Sequence, residues 1–211
     1  MIWKSSRDHL QVRNRFGWEN FRDPWDAFPV SLHDFWEWGL GDFTSNGARE
    51  ALAEFLVGRV LCALANGGPG SGFDFATKSG LKVRIASASA YAGWPAERRA
   101  ATLYCIAPTL PYEPSRRQLS RAWSRPSDIH VFALVLLGEH GQINATDTNH
   151  WLFHVVSSRA LDSLEQAAPA VSHGTIEARC RSSPAGWRGP VPYRNLRVEV
   201  EGLGVAMARG G

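Results

Sequence analysis

Residues 72–94, GFDFATKSGLKVRIASASAYAGW, divide into two strands around the turn Lys78-Ser79-Gly80. In the second strand Val83 and Ile85 alternate with Lys82, Arg84 and Ala86, the period-two pattern of a strand with one face against a core. Alternation therefore puts Arg84 and Ala86 on the same face. That face carries two cations and an alanine, and no carboxylate.

The segments around the hairpin set a mixed α/β pattern. Upstream, NGAREALAEFLVGRVLCALANGG predicts a helix with Leu52, Phe55, Leu56, Val60, Ala63 and Leu64 at three- and four-residue intervals, stopped by Asn66-Gly67-Gly68. Ser31 is placed to cap a shorter helix carrying Phe35, Trp36 and Trp38. Downstream, TLYCIAP is a third strand, DIHVFALVLLGE a strand apolar enough to be buried on both faces, and HWLFHVVSS a further strand. A short helix over 158–166 and a late amphipathic element, PYRNLRVEVEGLGVAM, close the pattern. Residues 111–127 are polar, arginine-rich and broken by proline, as in a surface loop. Residues 1–30 read as an irregular wrap with one short helix, and 31–211 as a single domain with a mixed central sheet flanked by helices.

Composition narrows the class. A chain of 211 residues, 44% hydrophobic, is long enough to bury a full core. The formal charge is +3, and of 23 basic residues only Lys4, Lys78 and Lys82 are lysines. Guanidinium groups pair bidentately with phosphate and stack on flat rings, which admits a nucleic-acid partner. Cys62, Cys105 and Cys180 form no CxxC pair, so reduced thiols are expected. The N-terminus lacks an apolar signal core and the run 131–137 is too short to span a bilayer, so a cytoplasmic protein without membrane association is expected. Nine tryptophans, among them Trp3, Trp18, Trp25, Trp36 and Trp38, are expected to pack in the core.

Chemistry-bearing residues are few. Glu50 and Glu54 lie one helical turn apart and repel unless a cation intervenes, with Arg49 or Arg59 as local partners. Glu54 neighbours Val57 and Leu61, so its carboxylate is half-buried and needs a partner. His130, His150 and His154 show no metal-ligand spacing and are expected to pack or face solvent. Ser87 and Ser89 lack the glycines of a nucleophile elbow, and Gly67 to Gly72 lacks the lysine of a phosphate loop.

Taken in order, residues 35–61, 72–94, 127–136 and 150–156 resemble a bacterial restriction-endonuclease-like family with the PD-(D/E)xK nuclease fold, the first stretch through its FWxW, N..R and AEF pattern. The resemblance implies a helix glutamate at Glu54, a strand aspartate at Asp74 and Trp94 closing the second strand. In such a site the carboxylates hold Mg²⁺, which offsets charge on the attacking and leaving oxygens of a phosphodiester, and a lysine positions the water. The acidic-x-Lys pair would fall at Arg84 and Ala86, and both groups are lost. Lys82, one repeat earlier, and Glu97, at the start of a helix opened by Pro95, are the two rescues; neither restores both groups.

The resemblance implies three readings. The first is a nuclease-fold protein that has lost metal-dependent hydrolysis, requires no cofactor, pairs Arg84 with Asp74 or Glu54, and retains binding to DNA or a protein partner, in restriction or phage defence. Its phosphate-facing arginines would be Arg98, Arg99, Arg116, Arg117, Arg121 and Arg125. The second is an active Mg²⁺-dependent endonuclease with a rearranged site at Glu54 and Asp74, joined by the rescue residues Glu97 and Lys82. The third is a regulatory subunit that binds protein and no nucleic acid.

Overall fold

The computed structural model of the protein describes residues 16–21, 30–63, 65–66, 70–89, 102–113, 115, 118–136, 144–164, 169–183 and 185–209. Most of the expected N-terminal wrap lies outside the described residues, and those of it that are described contain no helix. Residues 16–21 are irregular and meet the start of the domain through a bridge between Asn20 and Ser31. Helix α1 (Leu32–Leu40) begins at Ser31, whose hydroxyl accepts the Asp34 N–H at 3.2 Å while the Asp34 carboxylate accepts the Ser31 N–H at 2.7 Å. This reciprocal cap satisfies two groups that a helix start otherwise leaves open.

Helix α2 (Asn46–Val60) is capped by Ser45 and buries Ala48, Arg49, Ala53, Val57 and Gly58. Phe55 is 55% exposed, so the buried stripe runs through Ala53, Val57 and Leu61, one position away from the expected one. The helix also stops earlier than Asn66-Gly67-Gly68. The Cys62 N–H bonds to the Arg59 carbonyl and the Ala63 N–H to the Gly58 carbonyl, with Cys62 at φ 49°. That is the paired bonding of a Schellman stop with a cysteine in the left-handed position that glycine usually fills.

The chain then forms β1 (Ala65–Asn66), β2 (Phe75–Ala76) and β3 (Lys82–Ser89), the last two being the expected hairpin, with Phe75 opposite Val83. Three short strands follow, β4 (Leu103–Cys105), β5 (Tyr112–Glu113) and β6 (Gln118–Leu119), of which the last two pair within the arginine-rich stretch. Strand β7 (Ile129–Val135) is buried at every position and runs parallel to β3, while β8 (Trp151–Ser157) returns antiparallel. After α3 (Ser158–Asp162), strand β9 (Ala170–Ser172) pairs with β4 outside the main sheet, then α4 (His173–Ser182), β10 (Trp187–Val191) and α5 (Leu196–Arg209) complete the domain. The main sheet has six strands in the order β1-β2-β3-β7-β8-β10. The fold is therefore mixed α/β.

Each face of the sheet has its own core. Val83, Ile85, Ile129, Val131 and Phe153 pack with Ala53 and Val57 of α2 and Leu196 and Val200 of α5. The opposite face joins Phe132, Leu134 and Val156 to Tyr104, Leu161, Ile176 and Trp187. Asp128 fixes where three strands begin and end: its carboxylate accepts the Lys82 N–H at 2.8 Å, its own N–H donates to the Lys82 carbonyl at 2.7 Å, and its carbonyl accepts from Ser158 at 2.9 Å. The tryptophan expectation is corrected. Trp151 and Trp187 are buried, but Trp18, Trp36, Trp38 and Trp123 are 77%, 38%, 83% and 69% exposed; for Trp36 and Trp38 the reason is that α1 buries none of its residues.

The α2 stop generates a prediction. A β-carbon in the left-handed region costs about 1–2 kcal/mol, whereas glycine brings only its extra unfolded-state entropy. Cys62→Gly should therefore raise stability by about 0.5–1 kcal/mol, read as a higher urea midpoint at unchanged slope.

Candidate functional site

The β2–β3 hairpin and α2 bring three acids and a cation to one end of the sheet. Asp74 immediately precedes β2; its N–H donates to the Val83 carbonyl at 2.9 Å, and its Oδ2 accepts the Ile85 N–H at 2.6 Å. The carboxylate thus extends the pairing of a strand only two residues long. Burial pushes the Asp74 carboxyl above its ordinary range; the Ile85 N–H and the Arg84 guanidinium pull it back, and Glu50 adds to the rise. Glu54 projects from α2 into the same region and is pushed up to about 7, first by burial, then by Asp74 and Glu50, against an opposing pull from Arg84.

Arg84 sits in the field of both Glu54 and Asp74. The structure gives it no ion pair within 4.0 Å among the described residues, so the expected direct pairing is corrected to a through-space attraction. The reason lies in the backbone: Asp74 points Oδ2 at the strand's own Ile85 N–H, and Arg84 faces His130 across the β3–β7 register. Ala86, two residues on, packs against the second core, as alternation requires. Neither Arg49 nor Arg59 pairs with Glu54. Arg49 is only 5% exposed and directs its guanidinium to the Thr44 carbonyl at 3.0 Å and the Asn46 Oδ1 at 2.5 Å.

The remaining expected residues divide. Lys82 is exposed, with Nζ 5.5 Å from the centre of the Phe73 ring, a cation over an aromatic face. Arg121 is exposed. Arg125 is withdrawn from any phosphate-facing role: its Nε and Nη2 donate to the Ile106 carbonyl at 3.1 and 2.9 Å, and its Nη1 pairs with Asp162. Glu97, Arg98, Arg99, Arg116 and Arg117, together with Trp94, lie outside the described residues. No helix is long and apolar enough to cross a membrane among the described residues. Cys62, Cys105 and Cys180 are free thiols.

On the face of the sheet that carries Arg84 and Ala86, buried histidines line β7 and β8. His130 is 3% exposed, with Nε2 3.0 Å from the Ser127 hydroxyl, and burial together with the charges of Arg84 and Arg125 pulls it down to about 3. It is a neutral packed histidine. On the neighbouring strand, His154 lies beside Phe132 and is fully buried.

As oxygen donors, Glu54 and Asp74 suit a hard divalent cation such as Mg²⁺, with Glu50 close enough to add charge. As acids, they form a cluster whose mutual repulsion Arg84 only partly offsets. Glu54 carries a folded-state pKa near 7 against an ordinary 4.5. Its contribution to stability is therefore full below about pH 4.5 and is lost as pH rises toward 7. Glu54→Gln should remove that decline. After discounting for solvent screening, the variant should be more stable than the wild type by about 1–2 kcal/mol above neutral pH, and indistinguishable at acidic pH, in parallel thermal melts. Comparison of the chain with protein-family models gives no match, and comparison with curated proteins gives none.

Proposed function

We propose that the protein is a nuclease-like scaffold of the restriction-endonuclease type that has lost metal-dependent phosphodiester hydrolysis and binds nucleic acid. The observation that carries the reading is the make-up of β3 opposite Asp74: a guanidinium at Arg84 in the place of an acid, and a methyl group at Ala86 in the place of an amine. A divalent ion held within about 4 Å of a guanidinium is repelled by several kcal/mol even at a protein-like dielectric. Ala86 has no group to polarise a water. The order α2, β2, β3 and then a parallel β7 supports the scaffold assignment, because it sets a helix acid beside a hairpin acid at one sheet end.

Nucleic-acid binding is supported by exposed flat rings beside cations. Trp123 is 69% exposed two residues from the exposed Arg121, and Trp18 and Trp38 are 77% and 83% exposed near the start of the described residues. Rings displayed in this way stack on bases without regard to sequence. A role in restriction or phage defence, in which a bound but uncut strand is the output, agrees with this chemistry.

A second reading has one observation in its favour. Because Arg84 makes no ion pair with Glu54 or Asp74, the three carboxylates Glu50, Glu54 and Asp74 keep a repulsion that Arg84 offsets only in part and that a bound Mg²⁺ would relieve. On that reading the protein is an active endonuclease. The two readings separate in one experiment on labelled single- and double-stranded DNA and RNA. The binding scaffold predicts a mobility shift whose affinity falls about tenfold or more between about 50 and 200 mM salt, with intact substrate in Mg²⁺ or Mn²⁺. Cleavage that Asp74→Asn abolishes would establish the enzyme instead. A stable protein complex with no shift of any nucleic acid would point to a regulatory subunit. On the first reading, the double variant Arg84→Glu, Ala86→Lys should gain Mg²⁺-dependent cleavage, detected as new fragments absent from the wild type.

A further inference from the structure

Away from the carboxylates, the face of the sheet covered by α4 gathers two histidines and a glutamate. His154 comes from β8, and His173 and Glu177 from the first two turns of α4, four residues apart and hence on one side of the helix. One ligand atom from each lies within 4.8 Å of the other two. The His154 and His173 rings meet edge to face with centroids 5.0 Å apart. His154 is 0% exposed, and neither of its ring nitrogens has a hydrogen-bond partner among the described residues. An imidazole so placed normally finds a partner, because leaving its polar nitrogens unmatched in an apolar core is costly.

The neighbours are arranged as the outer layer of a metal site. His173 Nδ1 lies 3.3 Å from the Tyr104 hydroxyl, which fixes the ring and leaves Nε2 directed at Glu177 Oε1, 3.5 Å away. A metal-bound imidazole characteristically holds its other nitrogen in such a hydrogen bond. The second Glu177 oxygen is held by Arg181 at 3.3 Å, which orients the carboxylate. Gly189 completes the enclosure: at φ 143°, it allows β10 to approach so closely that an added β-carbon would lie 2.4 Å from His154 Cδ2.

We propose that His154, His173 and Glu177 bind one zinc-class divalent cation, which fastens α4 to β8. The donor set of two imidazoles and one carboxylate is that of borderline transition metals such as Zn²⁺ and Co²⁺, in contrast to the all-oxygen set at Glu54 and Asp74 that suits Mg²⁺. A tetrahedral Zn²⁺ holds its ligand atoms roughly 3.3 Å apart, so closure requires the present trio to draw together by about 1.5 Å at its widest. His173 Nε2 and Glu177 Oε1 are already 3.5 Å apart, so the closure falls on the distances to His154, and Glu177, at the helix surface with its side chain 36% exposed, provides the entry path.

The test uses the full chain stripped of metal with a chelator. Titration with Zn²⁺ followed by calorimetry should give one equivalent bound, and Zn²⁺ should raise the melting temperature. Co²⁺ should give the visible absorption of a four- or five-coordinate site, and excess Mg²⁺ should not displace it. Glu177→Gln and His173→Gln should each weaken binding at least tenfold, with far-UV dichroism confirming that the metal-free variants are folded. Glu177 tolerates replacement because of its exposure, so that variant decides the matter even should His173→Gln unfold. His33→Ala, which disrupts the exposed trio His33, Asp34 and Glu37, should leave binding unchanged. Failure to bind Zn²⁺ stoichiometrically, displacement by Mg²⁺, unchanged affinity in Glu177→Gln, or loss of binding in His33→Ala would each overturn the proposal.

Discussion

The hydrogen bond from the Ile85 N–H to the Asp74 carboxylate, at 2.6 Å, is the interaction around which this end of the protein is organised. It compensates for the brevity of β2, which contributes only two residues to the sheet. It also holds a carboxylate in a half-buried position that would otherwise favour protonation, because accepting an N–H stabilises the charged form. Without that bond the hairpin edge loses a backbone pairing and Asp74 loses its main stabilising partner. Sheet edge and carboxylate cluster are thus tied through one oxygen atom.

Arg84 has to be understood within that constraint. Because Asp74 is held by the backbone, the guanidinium does not close onto it, and the charges interact over a distance. Arg84 acts on His130 as well as on the two acids, so one cation influences groups on a strand, a helix and the start of the hairpin. A lysine at position 86 would have joined the same row of side chains. Alanine instead joins the apolar core of that face.

Much of the framework was legible in the sequence because apolar runs and turn residues are local signals. The hairpin around Lys78-Ser79-Gly80, the continuously buried β7 and the Ser31 cap all follow from residues within a few positions of one another. The helix face was less legible: α2 is apolar on several sides, and the sequence could not show that Phe55 would face water while Ala53 met the sheet. Strands of two residues, and the pairing of β4 with the distant β9, leave no periodic trace. At the site, Glu54 and Asp74 were identifiable, but the backbone bond that keeps Arg84 from joining them was not. His154 and His173 lie on a strand and a helix, so their meeting was invisible; only the four-residue spacing of His173 and Glu177 hinted at it.

The last strand carries a consequence for assembly. β10 forms one rim of the sheet, its register slips between Arg188 and Val191, and Pro190 within it has no N–H to donate. At the opposite rim β1 offers only two residues. Among the described residues, neither border of the main sheet presents a long ladder of free amide and carbonyl groups, so recruitment of a further strand from a neighbouring chain is disfavoured on both sides. Among the described residues, the main sheet therefore offers no long border for the continuous growth that leads to fibrils.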